Sequence, residues 1–311
     1  VYVGGGMGRT HNKEETFART ADCLGYIKGA QILDLVQAVV ALQRDHGDRV
    51  VRRHARMKYL VHDRGIAWFR EEIGRYFDGP IAPAQKETTP ELLDYLGWHP
   101  QGDGLWFVGL PLLCGRLDGE RKRGLRALVE RYQPEIRLTA NQDLLLCNIG
   151  KTQRQEISEA LAELGWSEPT ETSLLGRHAI ACPALPTCGL AITESERILP
   201  QVLERLETLL DEEGIEQPIL VRMTGCPNGC ARPYMAELAL VGSGVDQYQL
   251  WLGGSAGLTR LARPVLQRMP LADLETTLRP LLKLWLSRSP QASFGDFCHS
   301  LGEELDALLQ A

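Results

Sequence analysis

The sequence predicts an α/β (α+β) protein in which mixed sheets are covered by helices. Three features carry that expectation. Short apolar runs at residues 105–110, 219–223, 238–241 and 248–252 have strand length. Segments of helical period lie between them, and Ile32, Leu35, Val36, Val39 and Val40, at i, i+3, i+4, i+7 and i+8, form the clearest. Residues 136–164 read as two strands and a helix, a unit that suits a ferredoxin-like half-domain. At 311 residues the chain can bury a large core divided among two or three domains.

Taken in order, residues 1–3 form a strand that enters the turn Gly4-Gly5-Gly6-Met7-Gly8, whose backbone can lie close to a ligand. The glycine spacing is not that of a dinucleotide fingerprint, and no βαβ unit follows. Asn12 is placed to cap a helix over residues 13–24. The periodic helix that starts near Ile32 stops at Gly47, with its apolar stripe expected in the core. Arg49, Arg52, Arg53, His54, Arg56 and Lys58 follow as a cationic run, which reads either as a solvated face or as an anion site. Trp68, Phe69 and Ile73 continue a helix, and residues 80–90 read as a surface excursion.

Residues 98–104 read as a turn before the strand at 105–110, with His99 structural. Arg121, Lys122 and Arg123 open a helix over 125–132; cations at a helix start oppose its dipole and call for an anion. Pro134 reads as a domain boundary. Asn141 and Gln142 end the next strand, either in a solvated turn or beside a cofactor. A helix over 155–164 carries Ile157, Leu161 and Leu164 on one face. A long helix is expected over 190–213, with Ile198, Val202, Leu206 and Leu209 buried. Residues 253–257 form a glycine turn with Arg260 and Arg263 nearby, and helices at 271–287 and 294–309 close the chain.

Composition excludes several classes. Apolar residues make up 44% and charged residues 24%, ordinary values for a globular protein. A net charge of −6 with no long basic run argues against general nucleic-acid binding. No apolar run reaches the ~18–20 residues that span a bilayer. Eight cysteines are too few for a disulfide scaffold of this length and suit a reducing compartment. The opening Val1-Tyr2-Val3 lacks Met and resembles no signal peptide, so the chain is expected to be the C-terminal part of a longer protein.

Four of the cysteines stand apart. Cys182 and Cys188 enclose Pro183-Ala184-Leu185-Pro186-Thr187; Cys226 and Cys230 enclose Pro227-Asn228-Gly229. Four soft sulfur ligands select an iron–sulfur cluster or zinc over hard cations. Structural zinc pairs are usually two to four residues apart, so the five-residue gap favours a [4Fe-4S] cluster, with a non-catalytic iron–sulfur or zinc module as the alternative. Gly225 and Gly229 allow close backbone approach and free N–H groups around such a centre. Cys23, Cys114, Cys147 and Cys298 are scattered and read as packing residues.

These pairs, with Arg222-Met223-Thr224-Gly225 before the second and Ala231-Arg232-Pro233-Tyr234-Met235-Ala236-Glu237 after it, resemble the sirohaem- and [4Fe-4S]-containing nitrite and sulfite reductases. The resemblance covers essentially the whole chain and is strongest to the ferredoxin-dependent assimilatory sulfite reductases. It implies mixed-sheet sirohaem-binding domains plus the half-domain, divided as 1–133 (first reductase copy), 134–175 (half-domain) and 176–311 (second copy, with the cysteines). It implies that Cys182, Cys188, Cys226 and Cys230 hold the cluster, that Cys230 also bridges to the sirohaem iron, and that Asn228, Asn141 and Gln142 lie near the cofactors.

Substrate-facing cations are implied at Arg56 and Lys58, with Lys122 on the sirohaem side. Relatives carry lysine where Arg56 stands. Because arginine binds anions but is a poor proton donor, Lys58 is the expected proton source. The implied reaction is six-electron reduction of sulfite to sulfide, with reduced ferredoxin as donor and a flavoprotein as the other candidate. Reduction of nitrite to ammonia is the nearest rival, which Lys58 disfavours. The implied location is the cytoplasm, or the plastid stroma in a plant or alga, with no nucleic acid or membrane partner.

Overall fold

The computed structural model describes residues 1–83, 94–166 and 172–310. It is built as three layers of mixed α and β structure. The surface excursion expected at 80–90 lies mostly outside the described residues. No helix among the described residues is long and apolar enough to cross a membrane.

The N-terminal layer pairs β1 (Tyr2–Val3) antiparallel with β2 (Asp22–Cys23) beneath two helices, α1 (Ile32–His46) and α2 (Met57–Ile73). No helix forms over 13–24. Asn12 takes a left-handed φ of 53°, and the segment instead runs back along the glycine stretch, with Gly6 and Arg19 exchanging backbone hydrogen bonds. Tertiary pairing has overridden the local cap signal. In α1 the buried face is Leu35, Ala38 and Leu42, packed with Phe69 and Ile73 of α2. Ile32, Val36 and Val40, expected in the core, are exposed.

The middle layer is a four-stranded antiparallel sheet in the order β3 (Gly97–Pro100), β4 (Trp106–Leu110), β6 (Leu144–Ile149), β5 (Glu135–Leu138). Helices α3 (Gly119–Tyr132) and α4 (Arg154–Glu163) cover it through Leu125, Leu128, Ile157 and Leu161. Trp98 and His99 therefore belong to a strand rather than a turn. Pro134 falls inside this layer, between α3 and β5, and β4 pairs directly with β6. The division expected at 133/134 thus cuts a hydrogen-bonded sheet. The proline marked the end of α3, which a single sequence does not distinguish from a domain end.

The third layer holds a five-stranded mixed sheet in the order β11 (Arg263–Pro270), β10 (Gln247–Leu252), β9 (Leu238–Gly244), β8 (Val221–Thr224), β7 (Ile180–Ala181). Strand β11 had no counterpart in the sequence reading. Strands β7, β8 and β9 run parallel; β10 and β11 are antiparallel additions. One face packs Ala181, Val221, Met223, Leu238, Leu240 and Leu250 against α5 (Leu199–Glu212), α6 (Leu274–Arg288), α7 (Phe294–Leu301) and α8 (Glu304–Gln310). Alternation along the strands places Ile180, Arg222, Thr224, Ala239 and Val241 on the opposite face.

Helix α5 begins nine residues later than expected. The intervening segment donates its backbone N–H groups elsewhere: Ile192 and Thr193 to the Gly225 carbonyl, and Glu196 to that of Cys182. Those bonds hold it as a strap around the cysteine loops and remove the donors a helix would use.

Candidate four-cysteine centre

Because β7 and β8 are parallel, both cysteine loops leave the sheet at the same carboxyl-terminal edge, where open α/β sheets bind ligands. Cys182 follows β7, its N–H bonded to the Met223 carbonyl at 3.3 Å. The loop then doubles back through Ala184, at a φ of 48°, and the N–H of Cys188 closes it on the Ala184 carbonyl at 2.7 Å. Cys226 follows β8. Gly225 stands at the crossing of the two loops and donates its N–H to Cys182 Sγ at 3.3 Å. A Cβ there would lie 2.6 Å from both Ala184 Cβ and the Thr193 carbonyl, so only glycine lets the loops meet. The second loop turns at Gly229 (φ 69°) and is pinned where Tyr234 Oη donates to the Pro227 carbonyl at 2.8 Å.

The four sulfurs share one electrostatic neighbourhood. Burial pushes the Cys226 and Cys230 thiols up, and the charges of Cys182 and Cys188 push them further. Cys182 and Cys226 are buried, Cys188 is half-buried and Cys230 is exposed. No group of three or more Cys, His, Asp or Glu side chains among the described residues is close enough to share a single metal ion. A zinc tetrahedron needs four sulfurs about 2.3 Å from one ion. A [4Fe-4S] cluster takes one soft sulfur at each of four irons, which is the number and kind of donor that the two loops offer. The donor set and its buried N–H groups therefore fit a [4Fe-4S] centre, with Cys230 the sulfur left open to a neighbouring group.

The N-terminal layer reaches this centre through its glycine turn. The Arg9 N–H donates to the Pro227 carbonyl at 3.0 Å, and its guanidinium lies 4.9 Å from the Trp251 ring centre. A Cβ on Gly8 would sit 2.9 Å from Arg56 Nη1 and 3.4 Å from the Asn228 carbonyl, so Gly8 is wedged between α2 and the second cysteine loop. Arg56 is the exposed N-cap of α2, and Asn228 is exposed too. Lys58, in the first turn of α2, is only 1% exposed, and its Nζ donates to the carbonyls of Gly6 (3.3 Å), Gly8 (2.6 Å) and Phe17 (2.5 Å). Burial, with the charges of Arg56 and Arg9, lowers its pKa to about 8. The cationic run thus divides: Arg56 faces outward, whereas Lys58 ties down the glycine turn.

Replacing Lys58 with Met leaves the Gly8 and Phe17 carbonyls without a donor and the Gly6 carbonyl with the Arg19 N–H alone. Faster amide hydrogen exchange is expected over residues 6–17, with unchanged exchange in β8 and β9. Unaltered protection at 6–17 contradicts this role for Lys58.

Gln142 and Asn141 lie in the turn between β5 and β6. Gln142 Nε2 donates to the Ala181 carbonyl at 3.0 Å, next to Cys182, and Arg232 Nη2 reaches back to the Ala140 carbonyl at 2.7 Å. The middle layer is thereby clamped to both cysteine loops. Asn141 lines a neighbouring cavity of about 290 Å³. Lys122 is exposed near the start of α3, and its ammonium makes no hydrogen bond or ion pair among the described residues. Arg260 and Arg263 pair with Asp296 and Asp306. The sequence reading assigned no role to Arg9, Arg222 or Thr224. Period-two alternation through residues 222, 224 and 226 was the available signal for the last two.

Asp143 lines the same cavity at 6% exposure, and one of its oxygens accepts the Leu112 N–H at 3.0 Å. Burial raises its pKa from 3.8 to about 6. Between these values the folded chain binds more protons than the unfolded one, so stability is greatest at the acid end and falls as pH rises through about 6. At about 1.4 kcal/mol per pKa unit the loss is on the order of 2–3 kcal/mol. Urea unfolding of Asp143→Asn at pH 4, 5, 6 and 7 should lack this decline; identical slopes in both proteins contradict it.

Parallel strands that present four cysteines at one carboxyl edge, beside a cation-bearing glycine turn, define an α/β protein with a candidate thiolate-ligated centre. Residues 1–81 match the nitrite and sulphite reductase 4Fe-4S domain, and residues 99–164 the nitrite/sulfite reductase ferredoxin-like half domain. A sulfite reductase [ferredoxin] of Synechococcus elongatus is 55% identical over 316 residues, covering all of this chain and 50% of that protein. The sulfite reductase [NADPH] hemoprotein beta-component of Acidithiobacillus ferrooxidans is 44% identical over 305 residues, 96% of this chain and 54% of the relative. The solved structure of Mycobacterium tuberculosis NirA protein superposes with a TM-score of 0.81 at 25% identity, covering 98% of this chain and 57% of that one. The chain belongs to the nitrite and sulfite reductase family. It spans about half the length of the curated relatives it matches.

Proposed function

We propose that this chain forms the cluster-bearing part of an assimilatory sulfite reductase, which reduces sulfite to sulfide with electrons from ferredoxin. The observation that carries this reading is the meeting of the two cysteine loops at Gly225, with the glycine turn of residues 4–8 packed against the second loop. The choice of sulfite and ferredoxin rests on the name of the 55% identical relative.

In this reading Cys182, Cys188, Cys226 and Cys230 would hold a [4Fe-4S] cluster, and the exposed Cys230 would be the sulfur shared with sirohaem. When bound, the two cofactors supply stepwise electron delivery and a reactive metal for S–O cleavage. The chain's own residues supply position and field. Gly225 brings the loops together, and its N–H stabilises the Cys182 thiolate. Arg56, at the positive end of α2, attracts the sulfite anion. Lys58 keeps the glycine turn in place under Arg56. Free thiols throughout suit a reducing compartment, the cytoplasm or a plastid stroma.

The test is turnover by the full-length holoenzyme with reduced ferredoxin, measuring sulfide from sulfite and ammonia from nitrite. Sulfide formation at the higher kcat/KM supports the reading. Predominant ammonia formation replaces it with nitrite reduction, and a protein without iron or sirohaem overturns it.

A further inference from the structure

Arg222 has a buried charge with no evident anion. It is 0% exposed on the cysteine-bearing face of β8, opposite Ile180 of β7 and Ala239 of β9. Its Nη1 donates to the Arg232 carbonyl at 3.3 Å, while Nε and Nη2 have no hydrogen-bond partner. No carboxylate among the described residues pairs with it. Burial, with the like charge of Arg232, lowers its pKa to about 9, which leaves it protonated at neutral pH; His178, whose buried Nδ1 also has no hydrogen-bond partner, is the other titratable group coupled to it. Thr224, next on the same face, is also fully buried with an unpartnered Oγ1.

A buried guanidinium without a counter-ion is strongly unfavourable, so a fold that keeps one places negative charge nearby. Position identifies the source. Arg222 is bracketed by the two cysteine loops: Ile180, its neighbour on β7, packs with Cys182, and the carbonyl it bonds lies two residues beyond Cys230. Four thiolates around a cluster carry net negative charge, and reduction adds more.

We propose that Arg222 sets the reduction potential of the centre held by the four cysteines: its guanidinium takes that centre's negative charge as counter-ion and favours the reduced state. The inference rests on the four-cysteine reading and adds a tuning role for a residue that is not a ligand.

The experiment is a redox titration of the full-length holoenzyme followed by the EPR signal of the reduced cluster, in wild type, Arg222→Met and Arg222→Lys at matched iron and acid-labile sulfide. In Arg222→Met the reduced-to-oxidised ratio at a fixed potential should fall at least tenfold, a downward midpoint shift of about 59 mV for a one-electron couple. Arg222→Lys, which keeps the charge, should stay within threefold of wild type. A loaded Met variant with an unchanged midpoint overturns the inference. So does a loaded Lys variant shifted as far as Met, or failure of both to load, which marks Arg222 as purely structural. If Met alone fails to load, a Lys midpoint near wild type supports the inference. Wild-type protein lacking iron and acid-labile sulfide refutes the four-cysteine reading itself, a separate outcome.

Discussion

Replacing Cys226 with serine in the full-length protein is expected to remove the cluster. Serine offers a hard, weakly acidic oxygen where iron–sulfur centres take soft thiolate. The site gives no compensation, since Cys226 is buried and its loop is fixed by Tyr234 and Arg9. Iron and acid-labile sulfide should fall to a small fraction of wild type. Under the proposed function, sulfite turnover should fall beyond the ~10–100-fold typical of outer-shell changes at metal sites. The companion variant Cys23→Ser removes a half-exposed thiol in the N-terminal layer and should keep wild-type iron. Equal iron in both variants, measured on folded protein, removes Cys226 from the centre. A pH effect accompanies this result. Burial and neighbouring thiolates hold the Cys226 and Cys230 protons on, so cluster assembly must expel protons and should slow as pH falls.

Gly225→Ala should have the next largest effect, through packing. The added methyl would meet Ala184 Cβ and the Thr193 carbonyl, both at 2.6 Å, and the latter is backbone in the strap around the cysteine loops. Such overpacking costs about 1–3 kcal/mol. For a chain of this size that lowers Tm by roughly 2–5 °C. Separating the loops also lengthens the bond from the Gly225 N–H to Cys182 Sγ, so cluster retention should fall together with Tm. Gly189→Ala, one residue past Cys188, is the matched control. Nothing lies within 4 Å of a Cβ there, and stability should stay within about 0.5 kcal/mol. Thermal unfolding with iron analysis separates the two variants, and equal behaviour contradicts the close-approach argument.

Reading the chain alone went furthest where the signal was chemical and local. The two cysteine pairs and their glycine–proline setting pointed to a shared centre, and the structure brings their sulfurs into one neighbourhood. Strands β8, β9 and β10 and helices α1, α3 and α4 appear close to their expected positions because period and length agree with burial in those segments. The reading went astray where distant partners decide the outcome. Residues 190–198 were expected to open the long helix yet spend N–H groups on the Cys182 and Gly225 carbonyls. Residues 13–24 follow a plausible cap but pair with the glycine turn instead. In α1, five apolar positions marked a face, but α2 chose Leu35, Ala38 and Leu42 as the buried one.

The sequence by itself supplied the candidate donor set, because sulfur count, spacing and softness are properties of residues and need no partner. It also determined the mixed α/β character, which periodicity records. Only the tertiary structure decided which cations serve which purpose. Arg56 and Lys58 are two residues apart, yet one faces solvent and the other is enclosed by three carbonyls, because the first turn of α2 packs against the glycine turn, whose path depends on contacts with the second cysteine loop. Charge is written in the chain; burial, which sets what a charge can do, arises when remote segments meet.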